Sequence, residues 1–184
     1  MASIAFHTSV TFDDVFTEGI TKITAKDMRY AKEMGCSIKL LGIAKNTETG
    51  IEVKVHPTMI PENHPLAAAN DSFNAVFVHG DAVDDAMFYG SGAGKLPTAS
   101  AVVADVVDCA KNKGRNIMMS WSEEKLNLLQ IDDVKSRFFV RVSGHAAERQ
   151  REIEELFGKV EIVAVPSLSE EFAFITGEIT EQEY

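Results

Sequence analysis

The chain has 184 residues, 45% of them hydrophobic and 25% charged, a globular composition with room for a real core. Its formal charge of −10 argues against a nucleic-acid or anionic-membrane partner, which would need clustered Lys and Arg. No apolar run approaches the roughly 20 residues of a membrane span. Met1 to Thr8 also lack the basic region and extended apolar core of a signal peptide. The two cysteines, Cys36 and Cys109, sit in no paired motif and read as buried free thiols of a reducing compartment. A cytoplasmic location is expected.

In chain order, residues 2–17 mix apolar and hydroxyl residues, and Phe12, Val15 and Phe16 mark a helical face around Asp13-Asp14. Glu18-Gly19-Ile20 is a break. Thr24 reads as the N-cap of a helix from Ala25 to Met34, ended by Gly35, with Met28, Ala31 and Met34 on one face. Four strand-like runs follow. Ser37 to Lys45 is rich in Ile and Leu, and Ile51 to Pro57 alternates Ile51, Val53, Val55 against Glu52, Lys54, His56. The turn Asn46 to Gly50 makes that pair a hairpin. Pro61 to Asn70 is a connection with a short helical stretch, Leu66 to Ala69. Ser72 to Gly80 and Asp84 to Tyr89 are two more strands across an acidic turn. The expected fold is α+β: a mostly antiparallel, meander-like sheet with helices on one face.

Met87 to Asp108, MFYGSGAGKLPTASAVVADVVD, organises the rest of the chain. An apolar run breaks into Gly90, Gly92 and Gly94, crosses Lys95 to Thr98, and resumes as an Ala/Val-rich segment reaching about Lys111. The reading is strand, glycine loop, helix. Glycines there allow positive φ or close approach of a ligand, and Pro97 suits the first turn of the helix predicted from Thr98. A Walker-type cradle fails, because Gly90 to Lys95 is one residue short and Leu96-Pro97 follows the lysine. No dinucleotide fingerprint can be read from it either. From composition alone, a structural turn and a ligand-contacting turn both stay open.

Asn112 to Asn116 is a polar helix stop, and residues 117–136 read as a connector with the single tryptophan and two acidic patches. The chain restarts at Ser136. Arg137 to Val142 is a strand, Ala146 to Phe157 an amphipathic helix with Ile153, Leu156 and Phe157 inward, and Lys159 to Val165 and Glu171 to Thr176 are strands. Thr180 and Glu183 form a capping box.

The string Tyr89 to Val102, Tyr-Gly-x-Gly-Ala-Gly-x-x-Pro-Thr-Ala-Ser-Ala-Val, resembles the signature loop of homoserine dehydrogenase. The resemblance extends to Ala2 to Phe6, Glu18-Gly19-Ile20, Ile38 to Gly42, Val55-His56-Pro57, Ile60-Pro61, His64 to Ala67 and Asn74-Ala75-Val76, in the family's order. The end of the chain is similar to the small ACT domain of many such enzymes: a ferredoxin-like βαββ unit, incomplete because the second helix and last strand are missing. Ser143-Gly144-His145-Ala146 also replaces the usual Asp-x-Pro-Gly turn. The expected organisation is residues 1–131 as the rear of the catalytic and dimerisation domain with its connector, and 132–184 as a partial ACT-like domain.

The resemblance implies hydride transfer between NADP or NAD and homoserine or aspartate 4-semialdehyde. It places the dinucleotide domain, which holds most of the cofactor, and the catalytic lysine and acidic substrate ligands upstream of Met1. No catalytic residue is therefore expected in this chain. Gly92, Gly94 and Thr98 would sit beside the nicotinamide end of the cofactor, and a homodimer through the sheet is implied. Lys95 reads as a loop-edge lysine, with contact to a cofactor phosphate or substrate carboxylate as its alternative, and Asp105 with Asp108 as a solvated face. The five histidines show no metal spacing, so no metal site is expected, and His56 and His64, each before a proline, shape turns. No Gly-x-Ser-x-Gly elbow supports a serine hydrolase. A stand-alone dimeric amino-acid-sensing or interaction module without catalysis, and an unrelated α+β binding domain, remain open alternatives.

Overall fold

The computed structural model describes residues 1–115 and 121–184. They fall into two compact units, Met1–Met59 with Trp121–Tyr184, and Ile60–Ser120. This division follows a different line from the boundary expected after residue 131. Residues 116–120, which hold the end of the polar helix stop and the start of the connector, lie outside the described residues.

The first unit opens with α1, Ala2–Ala5, and a single 3-10 turn at Phe12–Asp14. Both the amide and the hydroxyl of Thr11 donate to Asp14 Oδ2, at 2.7 and 2.6 Å. Those bonds hold the Asp14 carboxyl below the usual carboxylate range. The expected helical face at Asp13-Asp14 is therefore one capped turn. Side chains that bond the nearby backbone compete with helix propagation, and β1, Phe16–Thr17, follows at once.

α2, Ala25–Glu33, starts at Thr24 as expected, with the Thr24 amide and hydroxyl both donating to Asp27 Oδ2 at 2.6 Å. Its buried side chains are Tyr30 and Ala31, whereas Met28, placed with Ala31 on one face, is 57% exposed. β2, Cys36–Asn46, and β3, Ile51–Pro61, form the expected hairpin in a sheet of order β1-β3-β2. Its β1–β3 pair is parallel, Phe16 opposite Lys54 and Thr17 opposite Val55. β3 does not stop at Pro57. Pro57 lies beyond the residues paired to β1, where its missing N–H breaks no ladder bond on that side. His56 accordingly sits in a strand rather than a turn.

In the second unit a 3-10 turn at Pro65–Ala68 precedes β4, Phe73–Gly80, and β5, Asp84–Ser91. Here His64 does shape a turn, since its Nδ1 accepts the Leu66 amide at 3.2 Å. β4 and β5 pair antiparallel from Phe73 opposite Ser91 to Gly80 opposite Asp84. The expected single meander is thus two separate hairpins. α3, Lys95–Lys111, completes the unit, and Asn112 caps it by donating to the Asp108 carbonyl at 3.0 Å.

Back in the first unit, the connector is stitched into the fold. Buried Thr8 donates to the Glu124 carbonyl and accepts the Leu126 amide, and Leu128 bridges Ile51 in parallel. β6, Lys135–Ser136, β7, Phe139–Ser143, α4, Ala146–Phe157, β8, Glu161–Val163, β9, Glu171–Ile175, and β10, Ile179–Thr180, follow. The sheet order is β7-β9-β8, both pairs antiparallel, as in a split β-α-β unit, and β10 pairs with β6. The Thr180–Glu183 capping box forms in both directions, and its two hydrogen bonds from Thr180 lower the Glu183 pKa.

The core follows the period-2 alternation of β9. Phe172 and Phe174 point to α4, where they pack with Ile153 and Phe157, while Ala173 points the other way onto Tyr30 of α2. Each buried Phe contributes about 1.5–3 kcal/mol. Leu156, expected inward, is exposed, because Ala146, Ile153 and Phe157 fill the face of α4 that meets the sheet. α2 is also held to this sheet by charge. Lys26 reaches Glu171 at 2.6 Å, and Arg141 meets Asp27 at 3.3 Å and the Thr24 hydroxyl at 3.1 Å. A helix from the first third of the chain therefore closes the sheet built by its last third.

Candidate functional site

The glycine loop starts later and ends sooner than the sequence indicates. Gly90 and Ser91 still belong to β5, because Asn74 and Phe73 lie opposite them. The Gly92 amide donates to the Ser72 carbonyl at 3.2 Å, and the chain turns through Ala93 to Gly94. Gly94 is the N-cap of α3 with φ 110° and ψ 160°, a region essentially reserved to glycine. The Thr98 amide donates to the Gly94 carbonyl at 3.2 Å, so the helix begins at Lys95, three residues before its expected start. Pro97 occupies the first turn, where its missing N–H costs nothing. The N–H groups of Lys95 and Leu96 are left without an intrahelical acceptor, at the positive end of the helix dipole.

Gly92, Gly94 and Thr98, the residues singled out in the sequence, lie together along this strand-to-helix junction. Lys95 stands exposed at the first helical position, and Asp105 and Asp108 are exposed further along. Sequence reasoning named Asn74 only within the Asn74-Ala75-Val76 resemblance and gave it no site role, yet the β4–β5 register carries it, eighteen residues before Gly92, to the loop. A Cβ built on Gly92 would overlap Asn74 Nδ2 and lie 2.7 Å from its Cγ. The available signal was a lone amide inside the apolar run of β4.

No residue of α3 is buried. Leu96, Val102, Val103, Val106 and Val107 are all exposed, and the four valines recur at helical spacing as one apolar stripe. Cys109, expected to be buried, is exposed on the same helix, while Cys36 is half-buried. On β4–β5 the side chains of Phe73 and Tyr89 stack at 4.9 Å on one face, and Phe88 and Val78 stand exposed on the other.

The first unit holds a second concavity, of about 310 Å³, between the Asp13-Asp14 turn, β3 and residues 128–131. Within it Lys54 and Glu52 form a buried ion pair, Nζ to Oε1 at 2.7 Å. That approach satisfies the charges but not hydrogen-bond angles, since Oε1 counts as a buried atom without a hydrogen-bond partner. Lys54 also donates to Ser136 Oγ at 3.2 Å, and Lys45 stands 4.0 Å from the other Glu52 oxygen. The pair is occupied with its own neighbours and reads as structural.

Residues 1–107, from α1 into α3 and across the whole glycine loop, match the family model for homoserine dehydrogenase. The chain belongs to this family. It is 53% identical over 118 residues to the homoserine dehydrogenase of Corynebacterium glutamicum, covering 61% of this chain and 26% of that protein. To the Pseudomonas aeruginosa homoserine dehydrogenase it is 42% identical over 150 residues, 77% of this chain and 35% of that one. The crystal structure of a homoserine dehydrogenase from Thiobacillus denitrificans superimposes with a TM-score of 0.84 at 35% identity, over 99% of this chain and 45% of that one. The α+β fold is thus that of homoserine dehydrogenase structures, and the segment after residue 107 has its counterpart there too. The chain spans less than half the length of these relatives.

Proposed function

We propose that this chain is the rear part of an NAD(P)-dependent homoserine dehydrogenase, acting in the interconversion of L-homoserine and L-aspartate 4-semialdehyde in threonine, methionine and isoleucine biosynthesis. The observation that carries the reading is the β5–loop–α3 junction. A glycine-only backbone at Gly94 places two free amides, from Lys95 and Leu96, at the start of a helix whose apolar stripe is uncovered. That stripe suits packing against a further domain. In the intact enzyme that domain would bind most of the cofactor, NADP or NAD, which supplies or accepts the hydride. The part this chain plays is to line the nicotinamide end with Gly92, Gly94 and Thr98. The catalytic lysine and the acidic substrate ligands belong, on this reading, to the part of the relatives that precedes the matched segment.

Gly94→Val, in a chain extended to the length of the relatives, tests the loop. An added Cβ has room, its nearest neighbour being Pro97 Cδ at 3.7 Å, so crowding is not the expected cause of harm. The cost lies in the backbone: a β-branched residue resists φ 110°, at about 1–3 kcal/mol. The expected result is weaker cofactor binding or slower turnover with the fold retained by circular dichroism. Unchanged kinetics in a folded variant would remove this loop from the site.

The proposal extends to a homodimer. β2 is the last strand in the sheet order β1-β3-β2 of the described residues and carries few charges, and the β4–β5 hairpin exposes Val78 and Phe88. Light scattering at micromolar concentration should give twice the chain mass; a strict monomer would count against sheet-mediated pairing. We read the β7–β9 unit as a partial ACT-like module and the protein as cytoplasmic. No helix among the described residues is long and apolar enough to cross a membrane.

A further inference from the structure

The three glycines differ in what their positions demand. Gly94 has a backbone that only glycine adopts readily. Gly90 has no positive φ, and a Cβ there would meet nothing within 4 Å, so the described residues do not require it. At Gly92 φ is unremarkable and the demand is steric: the side-chain amide of Asn74 occupies the place of a Cβ.

The register explains how Asn74 arrives there. Asn74 lies directly opposite Gly90, and residues opposite each other in an antiparallel pair share a face. The Asn74 amide leans away from Gly90, diagonally onto Gly92. The same residues line an open groove of about 300 Å³, with Val76 and Phe88 as its apolar flank. Ser91 and Tyr89 alternate to the opposite face with Phe73, where Tyr89 stacks. Asn74 is therefore the polar side chain of that face at the groove, Asp84 lying at the far end of the hairpin opposite Gly80. Its amide enters no hydrogen bond among those described, so it is free for a ligand in the groove.

We propose that Asn74 is a positioning residue of the glycine loop: its amide lies over the Gly92 α-carbon, fixes the path of the chain into α3, and so sets how the loop receives the dinucleotide. The inference rests on the dehydrogenase reading for the identity of that ligand, and on geometry alone for the Asn74–Gly92 contact. It gives Gly92 a specific meaning. Alanine there can be accommodated only by moving the far end of a flexible side chain, so Gly92→Ala displaces Asn74 instead of disrupting the fold. The two positions then act as one unit.

The test has two arms. In the 184-residue chain, amide NMR of Asn74→Ala should move the Gly92 and Ala93 signals, and Gly92→Ala should move the Asn74 side-chain NH2 pair, with both variants folded. In a chain extended to the relatives' length, each substitution should raise the KM for the dinucleotide about tenfold while kcat changes far less. The double variant should be no worse than either single one, because coupled positions are non-additive. Asn74→Asp, which keeps the shape of the side chain, should recover part of the loss. Multiplying effects, with Gly92→Ala much the more severe, would overturn the proposal and give Gly92 a direct role against the ligand. An unmoved Gly92 signal in Asn74→Ala would overturn it irrespective of activity. If the unsubstituted extended chain fails to oxidise homoserine, the dehydrogenase reading falls, and the NMR arm still decides the contact.

Discussion

Tyr30→Ala is expected to cost about 3–5 kcal/mol, the usual range for removing a buried aromatic ring, and to melt the first unit well below the unsubstituted chain. Tyr30 is fully buried between α2 and the sheet, packed on Val165 and Ala173 with Phe139 at 5.7 Å. Alanine would leave a cavity where α2, from the first third of the chain, packs on the sheet built by its last third. Tyr30→Phe should behave in the opposite way. The hydroxyl is buried without a partner, as is Glu171 Oε1, and burial, reinforced by the Glu171 charge, raises the phenol pKa. Removing an orphaned polar atom relieves roughly 1–3 kcal/mol of desolvation, so the thermal midpoint should hold or rise. A large loss in Tyr30→Phe would show that the hydroxyl has a partner, such as a bound water. Near-wild-type stability in Tyr30→Ala would show that α2 does not hold the sheet.

Lys54→Met is expected to destabilise by about 3–5 kcal/mol, because it strands the buried Glu52 carboxylate. Lys45, 4.0 Å from Glu52 and largely exposed, is too weak a substitute. Replacing both partners, Lys54→Met with Glu52→Leu, should restore most of that loss, since the desolvation cost of the pair disappears with the charges. Urea midpoints of the two single variants and the double variant measure this directly. A double variant no better than the sum of the singles would mean that the pair does not interact as its 2.7 Å separation implies.

Local chemistry made much of this legible in the sequence. Thr24 as an N-cap, the strand from Ile51 and the bounds of α4 follow from caps and periodicity, which act over a few residues, although the alternation set Glu52 and Lys54 on the polar side and both are buried. The α+β class and the strand–loop–helix junction follow in the same way. What escaped depends on partners far along the chain. β1 is two residues long and carries no period, yet it pairs in parallel with Lys54 and Val55 almost forty residues later. The docking face of α2 was only partly legible: it holds Ala31, but also polar Thr24 and Asp27 beside Tyr30, and those polar residues face Arg141. An apolar-spacing argument selects Met28 instead. At the candidate site, Gly92, Gly94 and Thr98 were found as neighbours in sequence, but Asn74 reaches them only through the hairpin register. Cys109 was expected to be a buried thiol, yet nothing described covers it or the α3 valines.

The most direct measurement is NAD(P)-dependent oxidation of homoserine by the purified 184-residue chain, beside a version extended at its N-terminus to the length of the relatives. Hydride transfer needs nicotinamide and substrate in near-attack geometry and a group to take the alcohol proton. On the proposed reading this chain offers a loop to line the cofactor, while most of the binding contacts and the catalytic lysine lie in the preceding part. The account predicts no turnover by the 184-residue chain and activity in the extended one. Turnover by the 184-residue chain itself, with host enzyme excluded, would contradict it and place the catalytic site within the residues described above.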